Sequence, residues 1–358
     1  MNASSDIIII GGGIIGLAIA VELRQQGAEV TVLSRDFAEA ASHAAAGMLA
    51  PQAEQIPPGP LLDLCLRSRS LYPDWVSKLE ALTELDVNHL PCGILSPVFE
   101  LPSLLVSHTP NAHWLNQTEI HQFQPGLGSE VLGGWWYPDD GQVDNRRLVH
   151  ALRQAAEILG ITIQEGVTVQ SWRETADRID YLLTNKGKYR ANTYVLTPGS
   201  WAKELMPLPV RPIKGQMLAL RMPNQDPCRL KRVLFGPSTY LVPRKEGRLI
   251  IGATSEEVGW TPHNTPQGIQ TLLERAIKLY PPLADWPIED FWWGFRPGTP
   301  DEWPFLGASP WDNLMLATGH YRNGILLAPV TASLIADLII HKTTDPLLTA
   351  FSRDRVFS

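Results

Sequence analysis

Three glycines at a fixed spacing begin the chemistry of this chain. Gly11, Gly13 and Gly16 in GGGIIG form the pattern G-x-G-x-x-G. In such a turn the first glycine permits the bend, the second lets backbone approach a pyrophosphate, and the third lets helix and strand pack closely. The helix start that follows offers free N–H groups and the positive end of its dipole to phosphate. The spacing predicts a dinucleotide site. About 20 residues on, where an acid usually takes the ribose hydroxyls, stands Ser34, followed by Arg35 and Asp36. Arg35 leaves a 2′-phosphate, and hence NADP, open. A second group lies near the C-terminus, in GHYRNGILLAP (319–329). His320, Tyr321, Arg322 and Asn323 stand between the strand-like LMLAT and an apolar, helix-like run. Four consecutive polar residues exceed what a helix cap requires, so the mouth of that helix is expected to face a polar or charged group.

The elements that must carry these residues follow from local pattern. Residues 6–10 are a short run of branched apolar side chains, as in a buried parallel strand. The stretch after the glycines has apolar residues at helical spacing and closes at Gly27, and 29–33 is a second strand; together they make a βαβ unit. A helix is expected over 148–159, ended by Gly160, then strands in ITIQ, VTVQSW, YLLT and 191–196. Between Arg211 and Phe295 the pattern alternates between turn residues, which signals antiparallel sheet. The chain returns to a buried strand at LMLAT and a helix to about Ile340, whose start we place near Ala328 so that Pro329 falls in the first turn. The expected fold is α/β plus α+β: a discontinuous Rossmann-like domain (1–90, 145–210 and 305–358) and an antiparallel-sheet substrate domain (91–144 and 211–304).

Composition bounds the possibilities. The 358 residues suit two domains, and 44% hydrophobic with 19% charged residues describes an ordinary soluble protein. A net charge of −7 without a Lys/Arg-rich run argues against nucleic acid as the main partner. Cys65, Cys92 and Cys228 are scattered, with no C-x-x-C pair, so neither a disulfide framework nor a zinc site is indicated, and a cytoplasmic setting fits. Residues 7–21 lack the basic flank of a signal peptide, and 324–340 carries Asp337 and Pro329, so both read as buried elements rather than targeting or membrane segments.

Taken together, several stretches resemble the D-amino-acid oxidase family of FAD enzymes, and within it the branch that oxidises glycine for the thiazole ring of thiamine. They are DIIIIGGGIIGLAIA (6–20), AAAGMLAP (44–51), TPGSW (197–201), KGQMLAL (214–220), YLVPRKEGRLIIGAT (240–254), WGFRPGTPD (293–301) and ATGHYRNGILLAP (317–329), spanning nearly the whole chain in the family's order. The resemblance implies FAD held by Gly11, Gly13, Ile14, Ile15, Gly16, Ser34, Arg35, Ser42, Ala45, Ala46, Gly47, Met48 and Val169. It places Gly319, His320, Tyr321, Arg322, Asn323, Gly324, Ile325 and Leu326 at the flavin ring. Ser34 replaces the acid of the nearest members, and Ala41 a hydroxyl residue. Sarcosine oxidases attach their flavin through a cysteine after the RPGT-like turn; 301–311 contains none, so the FAD is expected to be noncovalent.

The same resemblance implies oxidation of glycine, sarcosine and small D-amino acids by O2 to an imine, then glyoxylate and ammonia, with hydrogen peroxide, in a homo-oligomer, a tetramer in relatives. On that reading the helix mouth at 320–324 stabilises a flavin that becomes anionic on reduction. Arg296, in FRPGT, is suited to grip the substrate carboxylate with two parallel bonds, with Tyr240 adding a phenol donor and Arg322 nearby. Arg296 and Arg322 are expected to be buried. Hydride leaving Cα for flavin N5 needs no protein base, and none is assigned. Alternatives are a quinone-linked D-amino-acid dehydrogenase at a membrane, an NADP-dependent dehydrogenase, and a flavoprotein acting on tRNA.

Overall fold

A computed structural model describes residues 4–102, 111–223 and 230–356; Cys228 lies outside the described residues. Two large sheets organise the chain. The first has the order Phe305–Ala308, Leu314–Thr318, Gly187–Leu196, Ser4–Ile10, Val30–Ser34, Thr162–Glu165, with Val169–Thr175 and Arg178–Thr184 attached at Gly187–Leu196. Strands from Leu314–Thr318 to Thr162–Glu165 run parallel. Ile7 to Ile10 are buried, as expected for a strand covered on both faces. Register sets the site: Ile10 pairs with both Leu33 and Leu196. The loops after Ile10, Ser34 and Leu196 therefore emerge side by side at the carboxyl ends of the strands, where open α/β sheets bind ligands.

The second sheet has the order Ile288–Gly298, Arg211–Arg221, Arg248–Gly252, Tyr240–Pro243, Val233–Phe235, Ile94–Val98, Gly133–Tyr137, His113–Asn116. All its pairs are antiparallel except Val233–Phe235 with Ile94–Val98. Its two faces follow the period of two along a strand. Leu218 and Leu220 pack with Leu272, Ala276 and Leu279 of helix Pro266–Leu279, while Met217 and Ala219 join a separate cluster with Ala46, Val242 and Ile250.

The C-terminal helix departs from the sequence expectation. It begins at Gly324, not near Ala328, so Pro329 lies inside it. A helical proline supplies no N–H and frees the carbonyl four residues back. Here that carbonyl, Ile325 O, accepts a bond from the Tyr72 hydroxyl at 2.6 Å, and the next, Leu326 O, from Ser68 Oγ at 2.6 Å. Both donors sit on helix Pro60–Thr83, whose buried residues Leu61, Leu64, Cys65, Ser68, Tyr72, Val76 and Leu79 mark one face. That helix has no counterpart in the sequence reading. The run from Gly324 to His341 is apolar and long enough to cross a membrane, but it is a core helix, packed against helices Ile14–Gln25 and Pro60–Thr83.

Candidate active site

The three strand-end loops, the second sheet and the start of helix Gly324–Ala336 enclose a cavity of about 410 Å³. At its first end lies the glycine loop. Gly11 has φ +120°, and a Cβ on it would lie 2.3 Å from Thr197 O; a Cβ on Gly16 would lie 2.0 Å from Gly11 O. The protein itself demands glycine at both. Gly13 is different. Its φ of −70° suits any residue, and a Cβ there would meet nothing nearer than Ala40 Cβ at 3.9 Å. Its missing side chain leaves room only for something in the cavity. Gly13 is also the N-cap of helix Ile14–Gln25 and provides no side-chain cap, so the first N–H groups of that helix have no side-chain acceptor.

A polar group on the wall is also unmatched. Ser42 is 7% exposed, lines the cavity, and its Oγ has no hydrogen-bond partner. A buried hydroxyl without a partner is costly, and a ligand oxygen at this end would complete it. An uncapped helix start, an open Gly13 and an unmatched Ser42 on one wall fit the pyrophosphate of a dinucleotide such as FAD. Ile14, Ile15, Ser34, Arg35, Ala45, Ala46, Gly47, Met48 and Val169 line the same cavity. Arg35, however, pairs with Glu39 at 2.6 Å and sits 4.3 Å over the Trp201 ring, so the charge that left a 2′-phosphate open already has partners.

At the other end the wall includes His320, Tyr321, Arg322, Gly324 and Ile325. Asn323 is the N-cap of helix Gly324–Ala336 but makes no side-chain capping bond. None of the four polar residues caps the helix. His320 is buried, bonded through Nε2 to Thr331 Oγ1 at 3.1 Å, and burial pushes its pKa down to about 3, so the imidazole is neutral. Tyr321 has φ +48° and its N–H donates to Pro297 O at 3.2 Å, which ties the loop to the second sheet. Gly16, Gly319, Asn323 and Leu326, expected at the cofactor, are not on the cavity wall.

The second sheet contributes Arg296 and Tyr240. Arg296 is half-buried, and its Nη1 donates to Thr254 O at 3.0 Å. A Cβ on Gly215, the glycine of KGQM, would lie 2.5 Å from both Arg296 Nη1 and Nη2. A Cβ on Gly252 would lie 2.4 Å from the Tyr240 hydroxyl. Each glycine is the bed of the functional side chain across the ladder, a signal in KGQM and IIGAT that the sequence reading did not use. Burial raises the Tyr240 phenol pKa, with the neighbouring Arg296 pulling it down. Arg322 is exposed rather than buried, because it lies over the Tyr321 ring and donates to the Tyr321 hydroxyl at 3.2 Å. Among the wall residues that went unrecognised in the sequence is a carboxylate, Glu54, just beyond AAAGMLAP.

Residues 6–338 match the family model for FAD dependent oxidoreductases known as DAO. The chain is 66% identical to the bifunctional protein ThiO/ThiG of a Synechocystis species, over 99% of this chain and 54% of that protein. It thus spans about half the length of those curated relatives. It is 36% identical to the glycine oxidase of Geobacillus kaustophilus over 99% of this chain and 98% of that protein. The crystal structure of glycine oxidase from Geobacillus kaustophilus superimposes with a TM-score of 0.91 at 32% identity, covering 98% of both chains.

Proposed function

This chain belongs to the DAO family of FAD dependent oxidoreductases, and from that premise we propose that it oxidises glycine, with sarcosine and small D-amino acids as further substrates, at the expense of O2. The products are the imine, hydrolysed to glyoxylate and ammonia, and hydrogen peroxide, with the imine destined for the thiazole ring of thiamine. The flavin, bound noncovalently, supplies the two-electron acceptor.

The protein's own residues do the rest. The glycine loop, Ser42 and the segment from Ala45 to Met48 hold the cofactor. The uncapped start of helix Gly324–Ala336 directs unpaired N–H groups and a positive dipole end at the cavity, each such contact worth about 0.3–1 kcal/mol to a negative charge there. Arg296 grips the substrate carboxylate, Tyr240 adds a hydrogen bond, and together they fix where the Cα–H bond lies. The division into a cofactor part (1–90, 145–210 and 305–358) and a substrate part (91–144 and 211–304) is supported by the two large sheets, since no strand of either crosses into the other part; the short ladder of Met48–Leu49 with Gly141–Gln142 joins the two parts. A cytoplasmic homo-oligomer completes the reading.

The observation that carries it is the cavity itself, which joins an uncapped helix mouth to a half-buried arginine bedded on Gly215. Purified protein should be yellow and should release peroxide in air with glycine or sarcosine. A colourless protein, or a flavoprotein that makes no peroxide with any member of an amine panel, contradicts the reading.

A further inference from the structure

Glu54 is held in place by its backbone and left free at its carboxylate. Its N–H donates to Ala50 O at 2.9 Å. The preceding residues are pinned by Asp140, a fully buried carboxylate, whose Oδ2 accepts from Ala53 N at 2.8 Å and Gln52 N at 3.2 Å. Asp140 is in turn paired with Arg69 at 2.5 Å. The Glu54 side chain is half-buried, and among the described residues its carboxylate makes no hydrogen bond or ion pair. It lines the same cavity as Arg296, Tyr240 and Arg322. A carboxylate partly removed from water without a partner is unfavourable, and a cation arriving in the cavity relieves it. The same cavity thus offers a guanidinium and a phenol to an anion, and a bare carboxylate to a cation. That is the charge pattern of a zwitterion.

Resting on the amino-acid-oxidising function proposed above, we propose that Glu54 receives the substrate's ammonium group and takes one proton from it. An N–H bond breaks, its electron pair stays on nitrogen, and the proton forms an O–H bond on the Glu54 carboxylate. The substrate becomes a neutral amine, whose lone pair assists loss of hydride from Cα, and the proton on Glu54 passes to water when product leaves. No oxidant beyond that of the main reaction is needed.

The electrostatics suit this task. Burial raises the Glu54 pKa to about 7, Asp140 and Glu302 push the same way, and Arg322 and Arg296 oppose them. Tyr240 and Cys65 also feel Glu54, and burial keeps both in their neutral forms. A general base works best with a pKa near the working pH.

The test compares Glu54→Gln with the flavin-loaded parent enzyme across pH. At neutral pH, kcat/KM for glycine should fall by about 10²-fold or more. Its acid limb should move up towards the ammonium group's own pKa, so that the deficit shrinks in alkali. Binding of acetate, a carboxylate with no ammonium, read from the flavin absorbance, should be little changed. Glu54→Asp should keep the acid limb near its original position at a lower rate. An unmoved limb in Glu54→Gln, a deficit constant across pH with an equal loss of acetate binding, or a limb displaced as far in Glu54→Asp overturns the assignment. A parent enzyme that oxidises no amino acid would instead overturn the function on which it rests.

Discussion

At the scale of single residues, Arg296 is the sharpest commitment. Replacing it by alanine removes charge-assisted hydrogen bonds worth about 1.5–3 kcal/mol. Steady-state kinetics of Arg296→Ala should show the glycine KM raised roughly 10- to 100-fold, with flavin content unchanged. An unaltered KM would remove Arg296 from the carboxylate. Gly215→Ala tests the same contact from beneath. The new methyl would lie 2.5 Å from the guanidinium nitrogens, and a flexible arginine tip yields more easily than a strand. The KM should rise while the thermal midpoint moves little; a collapse of stability with normal KM in the survivors would mean that Gly215 serves packing alone. That Arg296 lines the cavity was legible in the sequence, because FRPGT flanks a cation with aromatics and a turn. Glu54 was not, because one carboxylate in a loop carries no pattern, and only the cavity shows that it lacks a partner. Arg322 was expected to be buried beside a ligand, yet it lies at the surface over the Tyr321 ring.

At the scale of elements, two helix starts and one helix interior bear the argument. The glycine-loop turn requires an open Gly13, where a β-branched side chain would occupy the space left for pyrophosphate. Gly13→Val should fold and elute without flavin, as judged by visible absorbance; full flavin occupancy would contradict the placement. In helix Gly324–Ala336, the Tyr72 hydroxyl serves the carbonyl that Pro329 leaves free. Tyr72→Phe strands that buried carbonyl and should cost about 1–3 kcal/mol in a denaturant titration. Pro329→Ala restores a backbone donor, so the double variant should lose less than the sum of the two single changes. Strict additivity would show that the hydroxyl does not compensate the proline. The βαβ unit and the alternating strands could be read from period and turn residues. The start of this helix could not, because the rule against internal proline holds only when no neighbour supplies the donor, and that donor lies about 250 residues away.

At the scale of the molecule, two sheets from interleaved segments meet across one cavity. The parallel sheet brings three loops to one edge through the shared level of Ile10, Leu33 and Leu196, and the antiparallel sheet sets Arg296 and Tyr240 facing them. Sequence pattern conveyed the parallel strands and the alternating strands after Arg211, since alternation and buried runs are local; it did not convey Ile94–Val98, His113–Asn116 and Gly133–Tyr137 of the second sheet, nor helix Pro60–Thr83, whose weak apolar stripe is interrupted by Ser68, Arg69 and Pro73. Bound FAD should also raise the thermal midpoint of the chain, because it binds the folded state alone. The most direct test of the whole account is an anaerobic titration of the purified flavoprotein with glycine, followed at the visible flavin band. The account predicts stoichiometric bleaching by glycine in the parent, weakened in Arg296→Ala, with colour restored by admitting air. A flavin band that glycine leaves unchanged would contradict it.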